Sequence, residues 1–532
     1  MKSIYSMAAL ALALSATSCV GDLDVDNIDP NSVTSATPEQ LLNKCYASMA
    51  MAGQSGPDGD CDVDGLDGGT TGYVRQLINS QELTTDELIC CWGDDGIPAF
   101  NYNNWNADHP MLRGFYYRLY FSVTMCNHYL ERFGGEGEMA AEVRFLRALH
   151  YYYLMDGWGN VPFKTVVSNE KAPQYSRADI FRFVEEELLY CADNLADARA
   201  KKSTDSGYGR ADKAAAWLML ARLYLNAEVY TGTARYADAQ TYAQRVISSG
   251  YGLLKHGVGN FSAYQALFAG DNGETDAAYE FILPILCDGA TTASYGSSLF
   301  ALASMFKADM YVSAAAPATG NGTSENWGGN RARRDLLEKF FPNDNVPAEA
   351  DDAQMVQAAG DARALFFGKG RTLDIEVNDD FVKGYSVVKF CNFYANGGNA
   401  HDSKFPDTDW PLLRKAEAYL IFAEATARQN GGLATAEGLN AVNELRERAG
   451  ATQLPSANLD VLCDEWSREF YAEGLRRSTL IRFGRFGGST GYTWQWKGGT
   501  FAGQNFGEQY NLFAIPTTDL NANSNLKQNP GF

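Results

Sequence analysis

The sequence predicts a mainly α-helical fold: helix–turn–helix repeats of the tetratricopeptide kind, carrying an irregular, loop-rich lobe. Three observations predict it. Ala148-Leu-His-Tyr151, Ala221-Arg-Leu-Tyr224 and Ala416-Glu-Ala-Tyr419 each place a small residue three positions before a tyrosine inside a long apolar-striped segment. That pairing lets a neighbouring helix approach at the alanine while the ring fills the adjacent space. Amphipathic segments accompany the copies, at Tyr236–Ile247 and Thr435–Leu445, as paired-helix repeats require. Finally, helical periodicity becomes patchy from about residue 251 to 406, where Gly, Asn, Ser and Ala dominate and 320–330 reads only as loop.

Taken from the N-terminus, Lys2 precedes the apolar run Met7–Leu14, then the small residues Ser15–Ser18, then Cys19. The run is too short to span a bilayer, so 1–18 reads as a secretory signal peptide. A cysteine directly after the small residues resembles a bacterial lipobox, which makes Cys19 the acylated first residue and 19–31 a polar tether. The folded body is then 32–532. Helical repeats fall mainly in 110–250 and 410–480, and the loop-rich lobe mainly in 60–108, 251–406 and 483–532. Long loops on rigid helices are where binding sites usually sit.

Composition narrows the function. The net charge is −21, from 65 acidic and 44 basic residues. Such a surface repels phosphate backbones and anionic head groups, which argues against nucleic acid and favours a neutral ligand or a cation. Hydrophobic residues make up 45% of the chain and aromatic residues 13%, enough for a sizeable core with rings to spare for a site. The ten cysteines are scattered without any C-x-x-C pair, so neither zinc nor a redox pair is indicated.

Signatures of catalysis are mostly absent: no H-E-x-x-H, G-x-G-x-x-G or P-loop occurs. His150 lies in a Tyr-rich segment and reads as core. Asp58–Gly65 has the alternating Asp60, Asp62 and Asp64 of an EF-hand start, but Thr71 stands where the bidentate Glu belongs, leaving a solvated acidic loop as the simpler reading. Asp407 and Asp409 precede a helix expected to begin near Trp410, where acidic caps are favoured.

Four segments resemble the SusD/RagB family of outer-membrane nutrient-binding lipoproteins: Glu142–Ala148 with Trp158–Pro162; Gly209–Lys213 with Ala221–Asn226; Glu469–Arg477 with Leu480–Gly484; and Ile515-Pro516, Asn521 and Gln528–Gly531. The resemblance runs over the whole mature chain and implies a non-catalytic receptor that captures glycan for a SusC-like TonB-dependent transporter. It is strongest to the family's starch-binding founder. By that resemblance Trp92, Tyr295 and Trp327 are an arc of stacking rings for α-1,4-glucan, maltodextrins or cyclodextrins. Arg75 would be a polar contact, and Asp95 or Asp94 stands where the family has Asn. A structural calcium would take Asp407 and Asp409, with Asp271, Glu274 and Asp276 as further ligands; no other cofactor is implied. The chemistry agrees with the ring assignment, since a glucose ring offers an apolar C–H face and a hydroxyl rim. Another neutral glycan, or an exported glycoside hydrolase, are the alternatives.

Overall fold

The computed structural model describes residues 36–532; the segments expected to be a signal peptide, an acylated Cys19 and a tether lie outside the described residues. The helices α1 (Pro38–Ala50), α2 (Tyr73–Gln81), α3 (Pro110–Phe133), α4 (Glu138–Trp158), α5 (Arg177–Asn194), α6 (Lys213–Leu225) and α7 (Tyr236–Ile247) fill the first half of the chain. Their starts are written in the sequence. Thr37 and Gln40 form a reciprocal capping box on α1, His109 caps α3 ahead of Pro110, and Asp212 caps α6 through the Ala214 N–H at 2.9 Å.

From α3 to α7 each helix packs on the next, as in a repeat stack. The stack then skips the lobe. Helix α7 packs on the helix Ala416–Gln429, which in turn packs on Ala436–Arg448. The repeat motifs sit where expected: Ala148, Ala221 and Ala416 are fully buried, as are Tyr151 and Tyr224, while Tyr419 is half-buried. His150 is sealed in the core, and burial pushes its pKa down to about 3.

In the lobe, α8 (Ser298–Ser304) is flanked by short strands: β1 (Leu88–Cys90) pairs antiparallel with β3 (Asn330–Ala332), and β2 (Phe281–Ile285) with β4 (Trp410–Arg414). The last pairing corrects one expectation. No helix begins at Trp410; that residue is strand, because it pairs with Ile285 of β2, and α9 (Ala416–Gln429) starts six residues later. The acidic stretch 58–65 is not an EF-hand either, since Asp62 spends its carboxylate on Lys44 and Arg118, each at 3.2 Å.

The four sequence signatures are the fold's fasteners. Glu142 of α4 accepts both Arg210, at 2.5 and 2.9 Å, and the Tyr46 hydroxyl, joining the first signature to the second. Gln528 exchanges two 2.8 Å bonds with the Ile515 backbone, and Asn529 donates to the Trp158 carbonyl at 2.7 Å. The C-terminal segment therefore closes on the helical body as well as on the lobe. Glu469 and Glu473 belong to a buried ionic cluster. Arg414 reaches Glu280, Glu469 and Glu473 at 3.1, 2.6 and 2.7 Å, all fully or almost fully buried. Arg363 reaches Glu465 and Glu469 at 2.8 and 3.2 Å. The cluster lies where the lobe's last strand passes into the resumed stack.

Candidate functional site

The segment 82–87 is bolted down before it reaches the site. Glu82 accepts the Gly474 and Leu475 N–H groups, and Asp86 takes a two-pronged ion pair from Arg476, both arms at 2.7 Å, plus Lys339 at 2.9 Å. From this base β1 leads straight into Trp92. The Cys91 N–H donates to the Gly329 carbonyl at 3.1 Å, and the Trp92 indole N–H to the Gly328 carbonyl at 3.1 Å. Gly329 is required here: a Cβ on it would lie 2.3 Å from the Trp92 ring.

The short helix α8 gathers the other two rings. Tyr295 stands just before it, where Gly72 and Gly296 touch backbone to backbone and the Arg75 N–H donates to the Gly296 carbonyl at 3.0 Å. At its other end, orphan carbonyls of the last turn accept the N–H groups of Trp327, Gly328 and Gly329 at 2.8, 3.2 and 2.7 Å. A seven-residue helix spans about 10 Å, so Tyr295 and Trp327 are brought together across 32 residues of sequence by its length.

The three rings form one array. Trp327 lies 6.4 Å from Tyr295 with the planes 37° apart, and 6.5 Å from Trp92 at 55°. All three are half-buried, so each keeps solvent-facing surface. Phe300 of α8 supports the floor, edge-on to Trp92 at 6.1 Å and 5.1 Å beneath the Arg75 guanidinium. Arg75 marks the edge, 3.8 Å from the exposed carboxylate of Asp94. Burial lowers its pKa while Asp67 and Asp94 oppose that, and its Nε, fully covered, has no partner. Asp95 is exposed, and its charge acts on His109 rather than on Arg75. Of the two alternatives, Asp94 is the one beside Arg75.

The acidic residues named for calcium separate. Asp407, Asp409 and Glu274 line a cavity of about 330 Å³ together with Asp288, His401 and Tyr208. Asp409 is buried, accepting Tyr208 and the Cys287 N–H at 2.7 and 2.8 Å; burial, with Asp288 and Asp407 nearby, pushes its pKa up to about 7. Asp407 is taken by the Tyr394 hydroxyl and by the ring and backbone N–H of His401, all at 2.9 Å. Asp271 instead accepts the Ala395 and Asn396 N–H groups, and Asp276 pairs with Lys202 at 2.7 Å. Among the described residues no three acidic, His or Cys side chains converge closely enough to hold a metal ion.

Sequence reasoning missed Phe300 and Gly329. Phe300 sits in an apolar run that looks like core, and only contact across the chain distinguishes Gly329.

These features define a class: a helical-repeat scaffold that presents a half-exposed aromatic array on an inserted loop lobe. Comparison with known proteins agrees. The SusD family model matches residues 318–532. The starch-binding protein SusD of Bacteroides thetaiotaomicron is 38% identical, with 100% of this chain and 99% of that one aligned. A SusD-like protein of Bacteroides ovatus is 26% identical over 70% of this chain and 66% of its own. The chain belongs to the SusD family. Solved structures share its fold: a SusD-like protein of Bacteroides fragilis (TM-score 0.67, 20% identity, 96% of this chain and 100% of that one) is one. Surface glycan-binding protein A of B. thetaiotaomicron in complex with laminarihexaose (TM-score 0.65, 20% identity, 92% and 98%) is another.

Proposed function

We propose that this protein is a cell-surface receptor for starch-type α-1,4-glucans, held on the outer membrane by lipid on Cys19. It binds maltodextrins and cyclodextrins without cleaving them and passes glycan to a SusC-like TonB-dependent transporter. The observation that carries this reading is the array itself. Three tilted ring faces in a row suit the C–H faces of successive glucose units, and their tilts suit a chain that coils. Arg75 and Asp94 stand at the edge to bond hydroxyls. The starch-binding name of the full-length relative supports the same choice of ligand.

Half-exposed rings give modest affinity. Micromolar to millimolar binding is about −8 to −4 kcal/mol, since association entropy and hydroxyl desolvation offset much of the contact. Avidity on long polymers makes up the rest. A structural calcium is part of the proposal, with Asp407 and Asp409 as its carboxylate ligands and backbone carbonyls or water for the rest, since no third acidic side chain converges on them among the described residues; a hard cation suits an all-oxygen set.

Calorimetry with maltoheptaose tests the reading: Trp327→Ala should remove most of the binding heat and leave helical content unchanged. Retardation in gels containing amylopectin, but not xylan or levan, is expected, together with no cleavage of maltoheptaose on long incubation. Binding of laminarin in place of amylopectin would favour a second reading. There the same receptor class takes another neutral glycan, as the neighbour in complex with laminarihexaose does.

A further inference from the structure

Three loops, around Tyr295, Trp327 and Lys404, meet at one charged bridge beside the array. The Trp327 indole N–H donates to Oε2 of Glu325 at 2.5 Å. The other oxygen of that carboxylate lies 4.0 Å from Lys404 Nζ, and the same ammonium donates to the Tyr295 hydroxyl, 4.6 Å from the ring centre. The two charged side chains are 24% and 35% exposed, so the bridge is partly sheltered. Its supports are built in. The Ser324 N–H donates to the Ser403 carbonyl at 2.7 Å, tying two of the loops together, and Asp402 accepts the Lys404 and Phe405 N–H groups at 2.7 and 2.9 Å. Phe405 backs the Tyr295 ring edge-on at 5.3 Å.

We propose that Glu325 and Lys404 are positioning residues of the carbohydrate site, which set the tilt between the Tyr295 and Trp327 faces before ligand arrives. The inference rests on reading the aromatic array as the glycan site. Trp327 is half-buried against the core, Tyr295 and Trp92, which restricts its rotamer without fixing its tilt. The tilt is set at its polar edge: Glu325 holds the indole nitrogen, Lys404 holds Glu325, and the tyrosine hydroxyl holds Lys404. Both rings keep part of their surface in solvent while these groups are tied. Preorganising them removes an ordering cost that each ring would otherwise pay on binding. A rigid, curved ligand should feel the loss of tilt more than a flexible one, because a linear chain can follow displaced rings and a closed ring of sugars cannot.

The test compares wild type with Glu325→Ala, Glu325→Gln, Lys404→Met and the Glu325→Ala/Lys404→Met double variant. Each is titrated with β-cyclodextrin and with maltoheptaose, and acrylamide quenching of indole fluorescence is read without ligand. Glu325→Ala should bind β-cyclodextrin about tenfold more weakly but maltoheptaose only about threefold more weakly, and its fluorescence should be quenched more readily. Glu325→Gln keeps an acceptor for the indole and should recover most of both. The double variant should be no weaker than Glu325→Ala, because one bridge is removed either way. Wild-type affinity and quenching in Glu325→Ala, or additive losses in the double variant, would overturn the proposal. A wild-type protein that binds neither sugar would instead remove the carbohydrate reading, and this proposal with it, even if quenching still separated the variants.

Discussion

Substituting Gly329 by alanine removes no ring and no polar group, yet it should damage the site as much as removing Trp92. The backbone at Gly329 cannot retreat. Its N–H is bonded to the Ser304 carbonyl at 2.7 Å, and its carbonyl accepts both Cys91 N–H, at 3.1 Å, and Arg331, at 2.7 Å. Its φ is not positive, so alanine brings no backbone penalty of its own; only the steric conflict acts. With a new Cβ 2.3 Å from the indole, the Trp92 ring must move. It then gives up the bond to the Gly328 carbonyl, worth about 1 kcal/mol net, and the edge contact with Phe300, worth about 0.5–1.5 kcal/mol. Stability should therefore fall by about 1–3 kcal/mol, the usual cost of overpacking. If three rings share a binding energy of about 4–8 kcal/mol equally, losing one costs about 1.3–2.7 kcal/mol, or roughly tenfold to a hundredfold in affinity. Calorimetric titration with maltoheptaose checks this beside Trp92→Ala; the two should agree within about twofold, and combining them should add nothing. A Gly329→Ala protein that loses stability but binds like wild type would show that Trp92 plays no part in binding.

Three further outcomes follow from the buried charges. Glu469→Gln leaves Arg414, Arg448 and Arg363 short of a shared, fully buried partner, so denaturant unfolding should show a loss of about 3–5 kcal/mol. The same cluster governs acid stability. Its arginines outweigh burial to hold Glu465 down at about 2, below its ordinary 4.5, and Glu469 is held lower still. A depressed carboxylate stabilises fully above its unfolded pKa and loses that contribution as pH falls through the folded one. The melting temperature should thus drop most steeply between about pH 4.5 and 2, and the drop should be shallower in Glu469→Gln. For calcium, adding the ion to chelator-treated protein should raise the melting temperature, and Asp407→Asn should abolish the rise; no rise in the wild-type protein would remove calcium from the account.

The helical scaffold was legible because its rule is local. Ala148 and Tyr151, or Ala221 and Tyr224, lie on one helix, and their spacing states which face is buried. The resumption of the stack at Ala416 was legible for the same reason. What joins distant parts was not. Trp410 precedes a helix and follows two aspartates, a pattern that reads as a helix start; only its pairing to Phe281–Ile285 makes it strand. The three aromatic residues could be named from family resemblance, but their meeting depends on α8 delivering Tyr295 at one end and Trp327 at the other. The acidic set shows the limit most plainly. Asp271 and Asp276 are close in sequence to Glu274, yet one caps backbone amides and the other pairs with Lys202.

The way the lobe is inserted accounts for how one scaffold can carry a site of this kind. Helix α7 packs on α9 across the interruption, so the stack is continuous and does not depend on the lobe's loops for its order. The lobe re-enters it at Arg414, within a cluster whose charges are almost wholly covered, and the Trp92 strand is tied to the same region through Asp86 and Arg476. Both attachments are polar and largely ion-paired, which fixes register more tightly than it adds stability, since desolvating such pairs offsets much of their attraction. The ring-bearing loops hang from these anchors by glycines, at Gly72, Gly296 and Gly329, where close backbone or ring contact admits no side chain. Substitutions on the loops between anchors should therefore alter which glycan is bound while leaving the helices untouched, whereas substitutions at the anchors should cost folding and binding together.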